Sequence, residues 1–231
     1  MNHFRLSAFS LVELLVAIFL GSLLMEAIVG NYLTAKRVST MQHHITTLND
    51  NMRVASFLLW QNIMQAGSSF DGEIHPKGLS PLRRFGICGY AGGSHMPVYL
   101  KKHKIIPRTD AIEIVKSSYH DPKKLDKITF FVGRTGRLDR YSKKPMTALY
   151  MAYDEGDKIE IVPDIMDMKI RYGIRGQQTT KTLVNAEQIT DDHWGEVEVV
   201  MIKLKMKMKG IAVPLKHKIY VKLRAREQLA S

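Results

Sequence analysis

The chain has 231 residues, with 34 Lys and Arg against 22 Asp and Glu, a formal charge of +12 and one cysteine. At 45% hydrophobic and 24% charged it can bury an ordinary core, which excludes wholesale disorder, and a lone Cys88 excludes an internal disulfide or a cysteine-rich zinc module. So basic a balance speaks to association with nucleic acid, an anionic membrane surface or an acidic partner, and not to fold.

A short stretch, MNHFRLSA, is followed over residues 9–30 by FSLVELLVAIFLGSLLMEAIVG, in which Glu13 and Glu26 are the only charges. As a helix these residues rise about 33 Å, enough to cross about 30 Å of hydrocarbon. A secretory signal would have an uninterrupted core and an A-x-A-like site, whereas Glu13 breaks this core and no such site closes it. A buried helix of a soluble domain would need cover on every side, for which an N-terminal segment has few neighbours. A membrane span is therefore expected. Glu13 stands out in it, because a carboxylate in an apolar span costs about 2.5–3.5 kcal/mol at the bilayer centre and is normally kept for a partner. A cut between Ala8 and Phe9 would create a cationic amine at Phe9. That amine and Glu13 of a neighbouring subunit would neutralise each other in lipid.

The segment Ala8-Phe9-Ser10-Leu11-Val12-Glu13-Leu14-Leu15 resembles the prepilin processing motif of type IV pilins and type II secretion pseudopilins. The resemblance implies cleavage by a prepilin peptidase after Ala8, N-methylation of Phe9 and an assembly role for Glu13. Ala8 stands where the family has Gly. With Arg5 the one strong base of the leader, and Lys36 and Arg37 beyond the span, loop charge does not fix orientation. The resemblance does, leaving the leader in the cytoplasm and the bulk of the chain outside it.

From Asn31 to Ala66 the sequence keeps a helical period, and no proline occurs before Pro76. Val38, Met41, Ile45, Leu48, Met52, Ala55 and Leu59 recur at spacings of three and four, drawing one apolar stripe. The spacing predicts a nearly continuous helix from about Phe9 to Ala66, on the order of 85 Å long, ending at Gly67. Gly21 and Gly30 are its expected weak points. The stripe suits either a coiled-coil partner or, as favoured here, the chain's own sheet. Residues 67–110, with a Gly-rich run from Gly86 to Gly93, read as a loop-rich connection without a phosphate-loop pattern. Strand signals follow at Ala111–Lys116, Lys127–Val132, Thr147–Tyr153, Lys158–Val162, Met166–Tyr172, Val197–Met208 and Lys216–Leu223. The fold class is thus α+β: a long N-terminal helix on a mainly antiparallel head.

Within the head, Arg108-Thr109-Asp110-Ala111-Ile112-Glu113-Ile114 is similar to a T-D strand opening. Ile159 to Val162 and Asp164 to Gly173 resemble a "V-x-x-I-x-D-hydrophobic-x-hydrophobic-x-Y-G" segment of PilW-type minor pilins and GspJ-like pseudopilins. Asn51 to Ser56 and Gln65-Ala66-Gly67 look like the helix end of that group. The expected organisation is a leader at 1–8, a transmembrane and amphipathic helix at 9–66, and a periplasmic β-rich head at 67–231. The resemblance implies a non-enzymatic minor subunit, at the tip or in the priming complex of a type IV pilus. Its implied partners are other minor pilins, the major pilin, the prepilin peptidase and methyltransferase, and the inner membrane, which it crosses once before reaching the pilus tip at the cell surface. Two alternatives stand beside it: a GspJ-like pseudopilin of a type II secretion system, and an uncleaved single-span protein whose basic head binds nucleic acid.

No enzyme motif or cofactor site emerges. His43 and His44 are adjacent on a helix and face different ways, and the cluster Asp191, Asp192, His193, Glu196 and Glu198 fits neither an EF-hand nor a zinc spacing. It is expected to be a solvated loop. Charge is segregated: residues 83–144 carry fifteen bases and five acids, 154–198 five and eleven, and 199–231 nine and one. In the last block Lys203, Lys205, Lys207 and Lys209 alternate with apolar residues, so a strand would show lysines on one face. That face is expected to be a solvated or protected strand surface, or else a dock for an acidic neighbour or DNA. No aromatic residues interleave the lysines, which argues against stacking on single-stranded nucleic acid.

Overall fold

The computed structural model describes residues 10–67, 81–92, 96–118, 125–139, 143–154, 156–175, 183–207 and 214–223. The chain falls into two units, Met1–Thr47 and Leu48–Ser231, divided inside the first helix. That helix, α1, runs Leu11–Met64. It begins and ends two residues inside the expected limits; Phe9 lies outside the described residues, and Gln65 and Ala66 form a closing turn instead of helix.

In the first unit, every large apolar side chain from Leu11 to Leu33 is exposed on all sides of α1. By length and composition α1 can cross a membrane, and no residue of its most apolar window is buried. Gly21 and Gly30 do not interrupt it. The helical backbone bonds continue through both, and the Gly30 carbonyl accepts a further bond from the Thr34 hydroxyl at 2.9 Å. Val38, Met41 and Ile45, three of the seven stripe residues, are exposed as well.

In the second unit the stripe is buried: Leu48, Met52, Ala55, Leu59 and Ile63 enter one cluster with side chains from both sheets. Removing a leucine from water in this way contributes about 1.5–3 kcal/mol. The helix stops at Gly67, whose φ of 76° favours glycine, and the Gly67 amide donates to the Val115 carbonyl at 2.9 Å. α1 has no basic residue in its last turn. Lys116 supplies the missing cation, donating to Asn62 Oδ1 at 2.9 Å and Gln65 Oε1 at 3.3 Å.

The head is two antiparallel sheets, where one was expected. Strands β1 (Ile87–Tyr90), β2 (Ala111–Ser117), β3 (Leu125–Leu138), β4 (Pro145–Tyr153) and β5 (Lys158–Pro163) form the first in sequential order. Strands β6 (Ile165–Ile174), β7 (Val197–Met206) and β8 (Leu215–Lys222) form the second. The two are separated by a single residue, Asp164, whose positive φ of 62° turns the chain out of β5 and straight into β6. Its amide donates to Thr147 and its carbonyl accepts from Lys207, fixing that corner. The expected loop at 67–110 is also more ordered: it contains β1 and the short helices α2 (Pro81–Phe85) and α3 (Val98–Lys101). With four residues each or little more, these elements are too brief to show a period.

Asp110 links the sheets. Buried to 6% exposure, it accepts from the amides of Gly92 and Ile170, at 3.0 and 2.8 Å, and pairs with Lys169 at 3.1 Å. The similarity noted at Thr109-Asp110 therefore falls on a residue that joins β2 to β6. A second cluster, of Leu100, Ala111, Phe131, Ala148, Tyr150 and Ala152, covers the other face of the five-stranded sheet.

Candidate assembly and docking surfaces

Of the processing residues, Ala8 and Phe9 lie outside the described residues. Glu13 occupies the first turn of α1 and is exposed between Val12 and Leu14, which are 66% and 56% exposed. Glu13 is thus an exposed carboxylate among uncovered apolar side chains.

The lysines of β7 are placed as the alternation predicts. Ile202, Leu204 and Met206 point inward and are fully buried, while Lys203, Lys205 and Lys207 stand on the outer side, Lys207 just past the strand's last residue. Lys209 lies outside the described residues. Strand pairing adds residues that sequence reasoning missed. Lys203 is registered between Lys169 of β6 and Lys218 of β8, a row of three cations, and Lys205 lies between Asp167 and Lys216. The next position outward on β6 is Arg171, opposite Met201. Only register reveals this face, since its residues come from segments separated by up to some fifty positions.

Part of its charge is neutralised. Lys205 pairs with Asp167 at 3.2 Å, Lys207 with Asp139 at 2.7 Å and Lys169 with Asp110. Arg171, Lys203, Lys216 and Lys218 have no ion-pair partner among the described residues. Like charges directly opposite one another destabilise a sheet, so Lys203 beside Lys218, at the end of the row away from the paired Lys169, is a cost that an anion there would relieve.

The inner side of β8 borders a groove of about 1220 Å³ whose opposite wall is the Asn49–Trp60 part of α1. Val54, Phe57 and Trp60 are 47%, 57% and 42% exposed there, beside Leu215, His217 and Ile219. No sequence signal marked these aromatics, because they fall off the stripe that the period picks out.

The acidic cluster and Glu113 find partners within the chain, whereas the buried Ser56 hydroxyl, His103 Nε2 and Tyr172 hydroxyl have none among the described residues. In the acidic cluster, Asp192 bonds Arg84, Glu198 bonds Arg175 at 2.7 Å, and His193 sits 3.9 Å from Glu196. Among the described residues no group of His, Cys, Asp and Glu is arranged to hold a metal ion. Buried Glu113 accepts from Tyr90 at 2.5 Å and from Thr129 at 3.3 Å, with Lys127 at 3.4 Å. Burial pushes the nearby Cys88 thiol up to about 11 and raises the Tyr90 phenol. A thiol held protonated in this way is a poor nucleophile.

Neither a protein-family model nor a curated protein matches the chain.

Proposed function

We propose that this protein is a PilW-like minor subunit of a type IV pilus, cleaved after Ala8, methylated at Phe9 and inserted in the inner membrane through the first half of α1, with its head in the periplasm and later at the pilus tip. The observation that carries the reading is the Phe9-to-Leu15 processing motif at the head of one long helix whose first part is apolar on all sides and whose last part packs on antiparallel sheets. Helix burial against other minor pilins and the major pilin supplies most of the association, and Glu13 sets register by pairing with a neighbour's terminal amine. The closest variant is a GspJ-like secretion pseudopilin, which shares the motif and differs in the genes that stand beside it.

Mass spectrometry of the mature N-terminus tests the processing: a methylated Phe9 is expected, and an intact Met1 overturns it in favour of a permanently anchored protein whose basic head binds an anion. Glu13→Ala tests assembly. The variant is expected to accumulate normally in the membrane and to be depleted from sheared pili; normal incorporation overturns the role of Glu13.

A further inference from the structure

β8 is an edge strand: among the described residues it pairs with β7 alone, so one row of its backbone N–H and C=O groups has no strand beside it. Such an edge invites another strand unless something blocks it. Here the two sides of the edge differ in kind. The inner side opens into a mainly apolar groove bounded by Phe57, Trp60 and Ile219, and the outer side carries Lys218 together with Lys216, which also reaches the groove's rim. A strand laid against β8 would alternate its side chains between these two environments. Every second residue would enter an apolar groove, and the ones between would stand next to unpaired lysines, extending the rows Asp167–Lys205–Lys216 and Lys169–Lys203–Lys218.

We propose that the free edge of β8 takes up an extended segment of another protein as a fourth strand, a segment that alternates apolar residues, buried in the α1–β8 groove, with acidic residues beside Lys216 and Lys218. Charge complementarity selects this occupant over two others. A second copy of β8 would bring Lys216 and Lys218 beside the same two lysines, so the charges that attract an acidic strand repel self-pairing. A nucleic acid would use the lysines and leave Val54, Phe57 and Trp60 exposed to water, whereas an amphipathic strand engages both sides and the backbone between them. The surface is contained within the second unit and rests on neither the leader nor Glu13, so it stands whatever the fate of the pilus reading.

The test uses the full chain in detergent micelles and a synthetic peptide that alternates valine with glutamate. Two controls are a peptide of the same composition with its valines and glutamates in separate blocks, and one alternating valine with lysine. Trp60 reports on the groove, with Trp60→Phe as the blank, and amide hydrogen exchange reports on the edge. The alternating acidic peptide is expected to shift Trp60 emission to the blue and to slow exchange across Leu215–Lys222. Lys216→Glu with Lys218→Glu should weaken it about tenfold and should transfer binding to the valine–lysine peptide. Phe57→Ala should weaken the acidic peptide while leaving the charge preference in place. Equal binding of the block peptide, or binding that leaves β8 exchange unchanged, overturns strand addition. Tighter binding of a duplex DNA oligonucleotide, lost in the double variant, overturns it in favour of an electrostatic nucleic-acid surface.

Discussion

Leu20 and Leu59 sit in one uninterrupted helix and meet opposite fates: the first is 54% exposed and the second fully buried. Hydrophobicity does not separate them, since they are the same residue. What separates them is the company around the helix. Near Leu20 apolar side chains occupy every side, which suits a surrounding of uniform chemistry such as lipid. Near Leu59 they are drawn into the Leu48, Met52, Ala55, Leu59 and Ile63 stripe, which suits a sheet on one side and leaves charged neighbours such as Asp50 and Arg53 on the other. The second stretch carries Val54, Phe57 and Trp60 as well, outside the stripe and open to solvent, and those are the residues offered to a partner.

The contrast breaks most visibly under truncation. Leu59→Ala is expected to destabilise the head by about 2–5 kcal/mol, read as a lowered midpoint in urea denaturation followed by the fluorescence of buried Trp194, while Leu20→Ala leaves that midpoint unchanged. An equal shift from both would mean that the head depends on packing of the first stretch. Asp110→Ala asks whether the core that receives Leu59 is one body. It strands the amides of Gly92 and Ile170 and leaves the Lys169 ammonium only its bond to the Arg108 carbonyl, and a loss of about 3 kcal/mol is expected by the same measurement. Gly89→Ala probes the packing more finely. A Cβ at Gly89 would lie 1.9 Å from the Tyr172 hydroxyl, which is buried and has no hydrogen-bond partner among the described residues. The expected cost is about 1–3 kcal/mol. Tyr172→Phe alone should be close to neutral and should relieve part of that cost in the double variant, a coupling that a mutant cycle measures directly.

Most of the strands and the limits of α1 were legible in the sequence, because long periodic runs such as Val197–Met206 declare both their type and their buried face. The two-sheet division was not. It depends on Asp164 taking a left-handed conformation between two runs that read as adjacent strands; aspartate tolerates that conformation but seldom announces it in sequence, and here backbone bonds to Thr147 and Lys207 fix it. β1 escaped because Gly86 and Gly89 read as loop, although Gly89 is glycine to admit Tyr172. The lysine face was half legible: alternation fixed the side on which Lys203 and Lys205 stand, but only register could bring Lys169 and Lys218 beside them.

The smallest expected effect concerns Cys88, the one thiol, and it separates buried from exposed chemistry without a substitution. Burial raises this thiol from 9.0 to about 11. In the unfolded chain it loses its proton near pH 9; in the folded chain it keeps it, so folding binds the proton more tightly across that interval. The sign follows: the contribution to stability is complete below pH 9 and is lost as the pH rises through about 11. Tyr90 and Tyr172, also raised by burial, add the same sign above pH 10. Alkylation isolates the thiol from the phenols, because Cys88, as the thiolate, reacts with iodoacetamide far faster than the phenols or the other side chains do. At pH 9 the native chain should react roughly fifty-fold more slowly than the chain in urea, the ratio set by the two thiolate fractions. Equal rates would place Cys88 in contact with water in the native state, and would mean that the wall formed by β1 is as open as the first stretch of α1.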